Sequence, residues 1–436
     1  MKLNGLEDGA VNCPHLESNV FGSVCPHIYA VPKDGYTISF TGHDLQYDLV
    51  CGKCARDMET SRTTFIRLCE NCFRAVEEQG FEEYVLIGQP QVREKPISLQ
   101  FVHQEVSLKG WGERKLLCIQ SAHNELSQWV ALSSDGELLR LDFESATATF
   151  LMQLPSDSVE LNEHTSLHLS PNFDFVAVAN NKGVNGCIVH LETKSVSMLL
   201  KRDDYCNEHC IFTVAFFIND NRLLVVHATA WNRLDISDPL TGKLLTQRES
   251  PTYTAGTGSS EHYLDYFHAG LTISPDNKWI VDNGWVWHPV GVVRCWNLQK
   301  WVSSNVWESE DGESVRKLCA RDYFWDGPLC WIDNKTLAVW GFGRDDECLI
   351  PAILLFDVES GKRIRWFAGP QGELTFDKYL FSSSSEFGTS IWDIETGERL
   401  HHADQLYFLS YHRGTKEFVS YSPDGQFFIS RLSEEL

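Results

Sequence analysis

Two stretches, LFDVESGKRI at 355–364 and IWDIETGERL at 391–400, decide the fold. Each is a short apolar run that meets Asp, passes through an acidic turn and reaches Gly before a new run begins. Asp at the end of a strand can accept hydrogen bonds from its own turn, and Gly supplies the positive φ that the turn requires. Weaker versions stand at 140–148 (RLDFESATA), 188–196 (IVHLETKSV), 234–245 (LDISDPLTGKLL) and 292–301 (VVRCWNLQKW). Hairpins precede several of them: HLSPNFDFVAVAN from 168, AFFINDNRLLVVH from 215, TISPDNKWIVDN from 272 and CWIDNKTLAVWG from 330. In each, an Asp/Asn turn joins two apolar runs of strand length.

Read as the terminal strand of each unit, the recurring element falls near 138–143, 187–191, 232–236, 292–297, 353–357, 390–394 and 427–431. The mean spacing is roughly 48 residues, close to one four-stranded propeller blade. Ile391-Trp392-Asp393 and the Ser-Pro-Asp fragments at 274–276 and 422–424 make the region similar to WD40-like β-propellers. That resemblance implies an all-β, seven-bladed β-propeller over 93–436. The 14 Trp, 13 Tyr and 25 Phe then belong mainly between blades. The apolar run from Ile97 is expected near the ring seam as a first inner strand.

Residues 1–92 read differently. Six of the 14 cysteines fall there, in four short pairs: Cys13-Pro14-His15, Cys25-Pro26-His27, Cys51-Gly52-Lys53-Cys54 and Cys69-Glu70-Asn71-Cys72. Two such pairs supply the four soft or borderline ligands of tetrahedral zinc, so the segment is expected to hold two structural Zn2+ ions. Cys51, Cys54, Cys69 and Cys72 form the expected first set, and Cys13, His15, Cys25 and His27 the second. A cross-braced pairing and a substitution by His43 stay open. A helix is expected over LCENCFRAVEEQG, with Phe73 and Val76 on one face and Gly80 as its stop. Knuckle, hairpin and helix over 48–80 resemble the treble-clef zinc fingers, giving a small zinc-finger-like α+β domain. Four protein ligands per ion leave no open position, which implies a structural role.

The net charge of −23 excludes unaided nucleic-acid binding and adsorption to anionic membranes. No run approaches 18 apolar residues, and no leader is apparent. Clustered CxxC pairs point to a reducing, cytoplasmic setting rather than to disulfides.

Function is expected in loops that exceed the repeat minimum. NGWVWHPV at 283–290 and GFGRDDECLIP at 341–351 are read as third-to-fourth strand connections of consecutive blades. They offer Trp285, Trp287, His288, Phe342, Arg344, Asp345 and Asp346 as a rim that binds a protein or peptide. The competing reading places Trp285 and Trp287 over adjacent core. Trp307, Tyr323, Phe324 and Trp325 carry the same choice, and Cys206, His209 and Cys210 a weak metal reading. No HExxH, GxxxxGK[ST] or GxSxG is present. The expected function is a non-catalytic protein-interaction scaffold. The alternative is a propeller hydrolase or lyase with His, Asp and Glu converging at the central channel.

Overall fold

The computed structural model describes residues 20–33, 35–40, 47–58, 64–249, 251 and 261–434. The chain forms two compact units. One comprises 1–93 with 341–354 and 366–370, and the other 94–340, 355–365 and 371–436.

The first unit is built on strands β1 (Gly22–Val24), β2 (Gly35–Phe40), β3 (Tyr47–Val50), β4 (Ile66–Leu68) and β5 (Phe81–Ile87), in the order β4-β1-β3-β2-β5. Helices α1 (Pro26–Ala30), α2 (Gly52–Ala55) and α3 (Glu70–Gln79) follow β1, β3 and β4. The predicted helix is therefore present, and its Phe73 and Val76 are buried. Gly80 ends it for a reason other than positive φ. A Cβ there would lie 2.8 Å from the Pro32 carbonyl oxygen and the Tyr36 ring. Phe40, Tyr47, Phe342 and Trp366 pack ring against ring at 4.5–6.4 Å in the core of this unit.

Seven further sheets make the β-propeller. Six have four strands. Among the described residues the third has three, with a single bridge from Ser237 to Leu244 in the outer position. The seven elements read as unit-ending strands are the third strands of their sheets: Glu137–Asp142, Asn185–His190, Arg233–Ser237, Val290–Asn297, Ile350–Asp357, Gly388–Trp392 and Phe427–Glu434. The Asp turn joins the third strand to an outer fourth. Asp393 shows the predicted chemistry: its carboxylate accepts from the Glu395 and Thr396 backbone N–H groups, and Gly397 takes φ of 70°.

For the last sheet the fourth strand comes from the beginning of the ring. Strand β6 (Leu99–Val106) pairs antiparallel with Phe427–Glu434 from Leu99 opposite Glu434 to Val106 opposite Phe427. The expectation of an inner strand is thus corrected to an outer one. Leu99 and Val106 are buried, but the positions between them are half-buried or exposed, which suits an edge rather than the packed inner position. The seam is sealed further in. Trp111, Ile119 and Trp129 of the first blade share one apolar core with Val419, Phe427 and Ile429 of the last. The Ser127 hydroxyl also donates to buried Glu417 across it.

Candidate metal centre and rim residues

Strand direction explains which ligand pairs meet. β1 and β3 run parallel, with Val24 opposite Leu49. Each strand ends into a cysteine that stands at a helix N-terminus, Cys25 before α1 and Cys51 before α2. Both helices therefore begin at one end of the sheet. The second ligand of each pair lies in the first turn, at His27 and Cys54. The donor atoms of Cys25, His27, Cys51 and Cys54 all lie within 4.8 Å of one another. His27 Nδ1 is 3.5 Å from Cys51 Sγ and 3.3 Å from Cys54 Sγ. Zn–S and Zn–N bonds of about 2.3 and 2.0 Å give a tetrahedral S···N edge of about 3.5 Å, so the donors fit zinc.

This corrects the expected pairing. Cys51 and Cys54 meet Cys25 and His27 rather than Cys69 and Cys72. β4 runs antiparallel to β1, with Leu68 opposite Gly22. Cys69 therefore emerges at the opposite end of the sheet, at the N-terminus of α3. Cys13, His15 and His43 lie outside the described residues.

The inner pairs are supported by their surroundings. The Cys51 backbone N–H donates to Cys25 Sγ at 3.3 Å, an outer contact that orients a thiolate ligand. Cys25 and Cys54 are buried, whereas His27 is exposed. Burial pushes the Cys25 thiol up to about 12 against backbone hydrogen bonds from Ile28 and Cys51. Burial acts the same way on Cys51, but the backbone N–H groups of Cys54 and Lys53 outweigh it and hold that thiol below its ordinary value. A thiolate at Cys25 requires a cation beside it. Among the described residues no other group of three or more His, Cys, Asp or Glu converges in this way. The metal reading of Cys206, His209 and Cys210 is therefore not supported.

The predicted rim separates into buried and exposed members. Trp285 is 3% exposed. It stacks on Phe267 at 4.0 Å and on Trp325 at 5.2 Å, and its indole N–H donates to Cys210 Sγ at 3.1 Å. Phe342, 1% exposed, lies in the aromatic core of the first unit. Both are corrected from rim anchors to core, because their strand positions face inward. Trp287 is 45% exposed and His288 is exposed beside it. Arg344 and Asp345 are half-buried and Asp346 is exposed. Both loops join second to third strands, not third to fourth as expected. Tyr323 is exposed, while Trp307 is covered by His262, stacked at 4.4 Å, and by the Arg248 guanidinium.

A buried polar group escaped the sequence reading. The His268 and Asp282 side chains meet at 2.5 Å, and Asp282 also accepts from Tyr266 and the Ala269 backbone. They come from neighbouring strands and form no short motif. Asp326, which accepts from Gly270 and Ile211, is pushed up to about 7, chiefly by burial and also by Asp282, while Lys182 opposes the shift. Between about pH 4 and 7 the folded protein therefore holds a proton that the unfolded chain has lost, and stability falls as pH rises through this window. Asp326→Asn is expected to flatten that slope in denaturant titrations at stepped pH. An unchanged slope would contradict it.

No family model and no curated protein matches the chain. Among solved structures it is similar to a chain of the "Crystal Structure of Mitotic Checkpoint Complex". The match has 13% identity and a TM-score of 0.48, over 79% of this chain and 96% of that one.

Proposed function

We propose that this protein is a non-catalytic interaction scaffold of the cytoplasm that holds a protein or peptide on propeller loops, with a zinc-clamped module as its docking unit. The observation that carries this reading is Trp287. A large indole is left exposed on a second-to-third strand loop while the neighbouring Trp285 is core. Exposed Trp and Arg are favoured anchors at interfaces. The contact residues proposed in the propeller unit are Trp287 and His288; Arg344, Asp345 and Asp346, on the 341–354 segment of the first unit, are proposed as a contact of their own.

The module is proposed to be of the zinc-finger kind, resembling the treble clef, with two structural ions. Cys25, His27, Cys51 and Cys54 hold the first. Cys69 and Cys72 belong to the second, with Cys13 and His15 as the remaining pair. Chain order supports this nesting. Cys69 follows the end of β4 that pairs with Gly22, where the chain enters β1.

Affinity capture with the full chain tests the scaffold. Trp287→Ala and Arg344→Ala are each expected to lower recovery of specific partners at least tenfold with the melting temperature nearly unchanged. Undiminished recovery by both variants would refute the loop assignment.

A further inference from the structure

We propose that the junction between the first and last blades is a latch worked by a proton: when His412 takes one up, the 412–417 hairpin of the last blade lets go of the first blade.

The hairpin joins Ser410–His412 to Glu417–Tyr421, the first two strands of the last blade. It lies on the 121–128 connection of the first blade. The Ser121 hydroxyl donates to the Tyr411 carbonyl at 2.9 Å, and the Ser127 hydroxyl donates to Glu417. Between them the backbones nearly touch: a Cβ on Gly414 would stand 1.9 Å from the Asn124 carbonyl oxygen. The Glu417 carboxylate is 1% exposed and also accepts from the Thr415 hydroxyl, at 2.7 Å, and from Arg431.

His412 stands at the root of this hairpin and is fully buried. Its ring packs against Trp129 of the first blade at 5.3 Å. Its Nδ1 accepts the Thr415 backbone N–H at 3.2 Å. Nδ1 therefore holds no proton, and the neutral ring carries its one N–H on Nε2. A second proton has only Nδ1 to go to. There it sets two donors face to face, breaks the bond that holds Thr415 and leaves a buried cation. Thr415 helps to hold Glu417, so the disturbance passes to the bonds across the junction.

The charged neighbours come from four elements. The hairpin itself supplies Arg413, Lys416 and Glu417, and the third strand of the last blade supplies Arg431. The first blade supplies His123 and Glu125. Asp377 of the preceding blade pairs with Lys416 and accepts from the Tyr411 hydroxyl. Burial holds His412 below the ordinary imidazole value, although Glu417, its own carbonyl, Glu125 and the Leu126 carbonyl oppose it. His123 keeps part of its surface in water, yet desolvation, and then His412 and Arg413, hold it down as well. The two imidazoles thus repel across the junction when charged. Once the junction opens, such a ring returns to about 6.5. Above that pH neither state binds the proton. Below it the open state takes up a proton that the closed state does not, so closure weakens as pH falls. At pH 5.5 opening gains about tenfold from one such proton.

Hydrogen–deuterium exchange on the full chain at pH 7.5 and 5.5, corrected for the intrinsic rate at each pH, tests the latch. Peptides from 116–133 and 408–421 are expected to lose about tenfold in protection at the lower pH. Peptides from 380–392 in the sixth blade should change less than twofold. His412→Asn keeps an acceptor for Thr415 and cannot be charged, so its junction should stay protected at pH 5.5. No loss at the junction, an equal loss in the sixth blade, or the full loss in His412→Asn would overturn the inference. Should His412→Asn not fold, His123→Gln decides. It removes the opposing charge, so protection should fall less steeply with pH than in the parent, and an equal slope would overturn the latch.

Discussion

Cys54→Ser is expected to release one zinc ion per chain and to unfold the small module while the propeller keeps its β-sheet signature. The elements that carry or adjoin the inner ligands are short. Its β1 and β4 have three residues each, and its α1 and α2 five and four. Helices this short do not persist on their own. Structural zinc binding in small peptides contributes about 10–16 kcal/mol. Cys54 is 4% exposed and offers one of the four converging donor atoms, so its loss leaves three ligands. Elemental analysis should give two zinc ions for the parent, one for Cys54→Ser and one for Cys72→Ser. A chelator should open 20–93 to protease before the rest of the chain. A parent with no zinc, or full metal content in Cys54→Ser, would refute the site.

Trp285→Ala should destabilise the propeller by about 3–5 kcal/mol, the usual range for a large buried aromatic. Trp287→Ala, two residues on, should cost less than about 1 kcal/mol, as exposed positions do. The contrast follows from what each ring touches. Trp285 is sandwiched between Phe267 and Trp325, with its N–H on Cys210, so truncation opens a cavity and strands a buried thiol. Trp287 meets the same cluster edge-on and keeps nearly half its surface in water. Guanidinium titrations of both variants decide the matter. Equal midpoints would mean that the two rings share one environment.

The propeller was legible because its turns are chemical. Asp followed four residues on by Gly after a short apolar run marks the end of a third strand, and Asp357 with Gly361 repeats the arrangement of Asp393 with Gly397. The outer strands carried no such mark. Residues 147–153 and 195–201 are mixed in burial and read as continuations of the turn. For the ligands, residue type and spacing announced metal, but the partners of Cys51 depended on strand direction. The parallel pairing of β1 with β3 spans α1 and β2, and no local pattern encodes it. His268 and Asp282 were hidden for a related reason. Each looks like an ordinary strand residue until antiparallel pairing brings them together.

The seam also bears on synthesis. His103 and Ser430 bond across it although 327 positions separate them. While a ribosome is still making the later blades, β6 has no mate, and the first and last blades lack their shared core. Contacts so distant in sequence form late and slowly. Until then each end of the unfinished ring presents an unpaired sheet edge or an uncovered apolar face, open to strands of other nascent chains. Slowed translation past the sixth blade would prolong that interval.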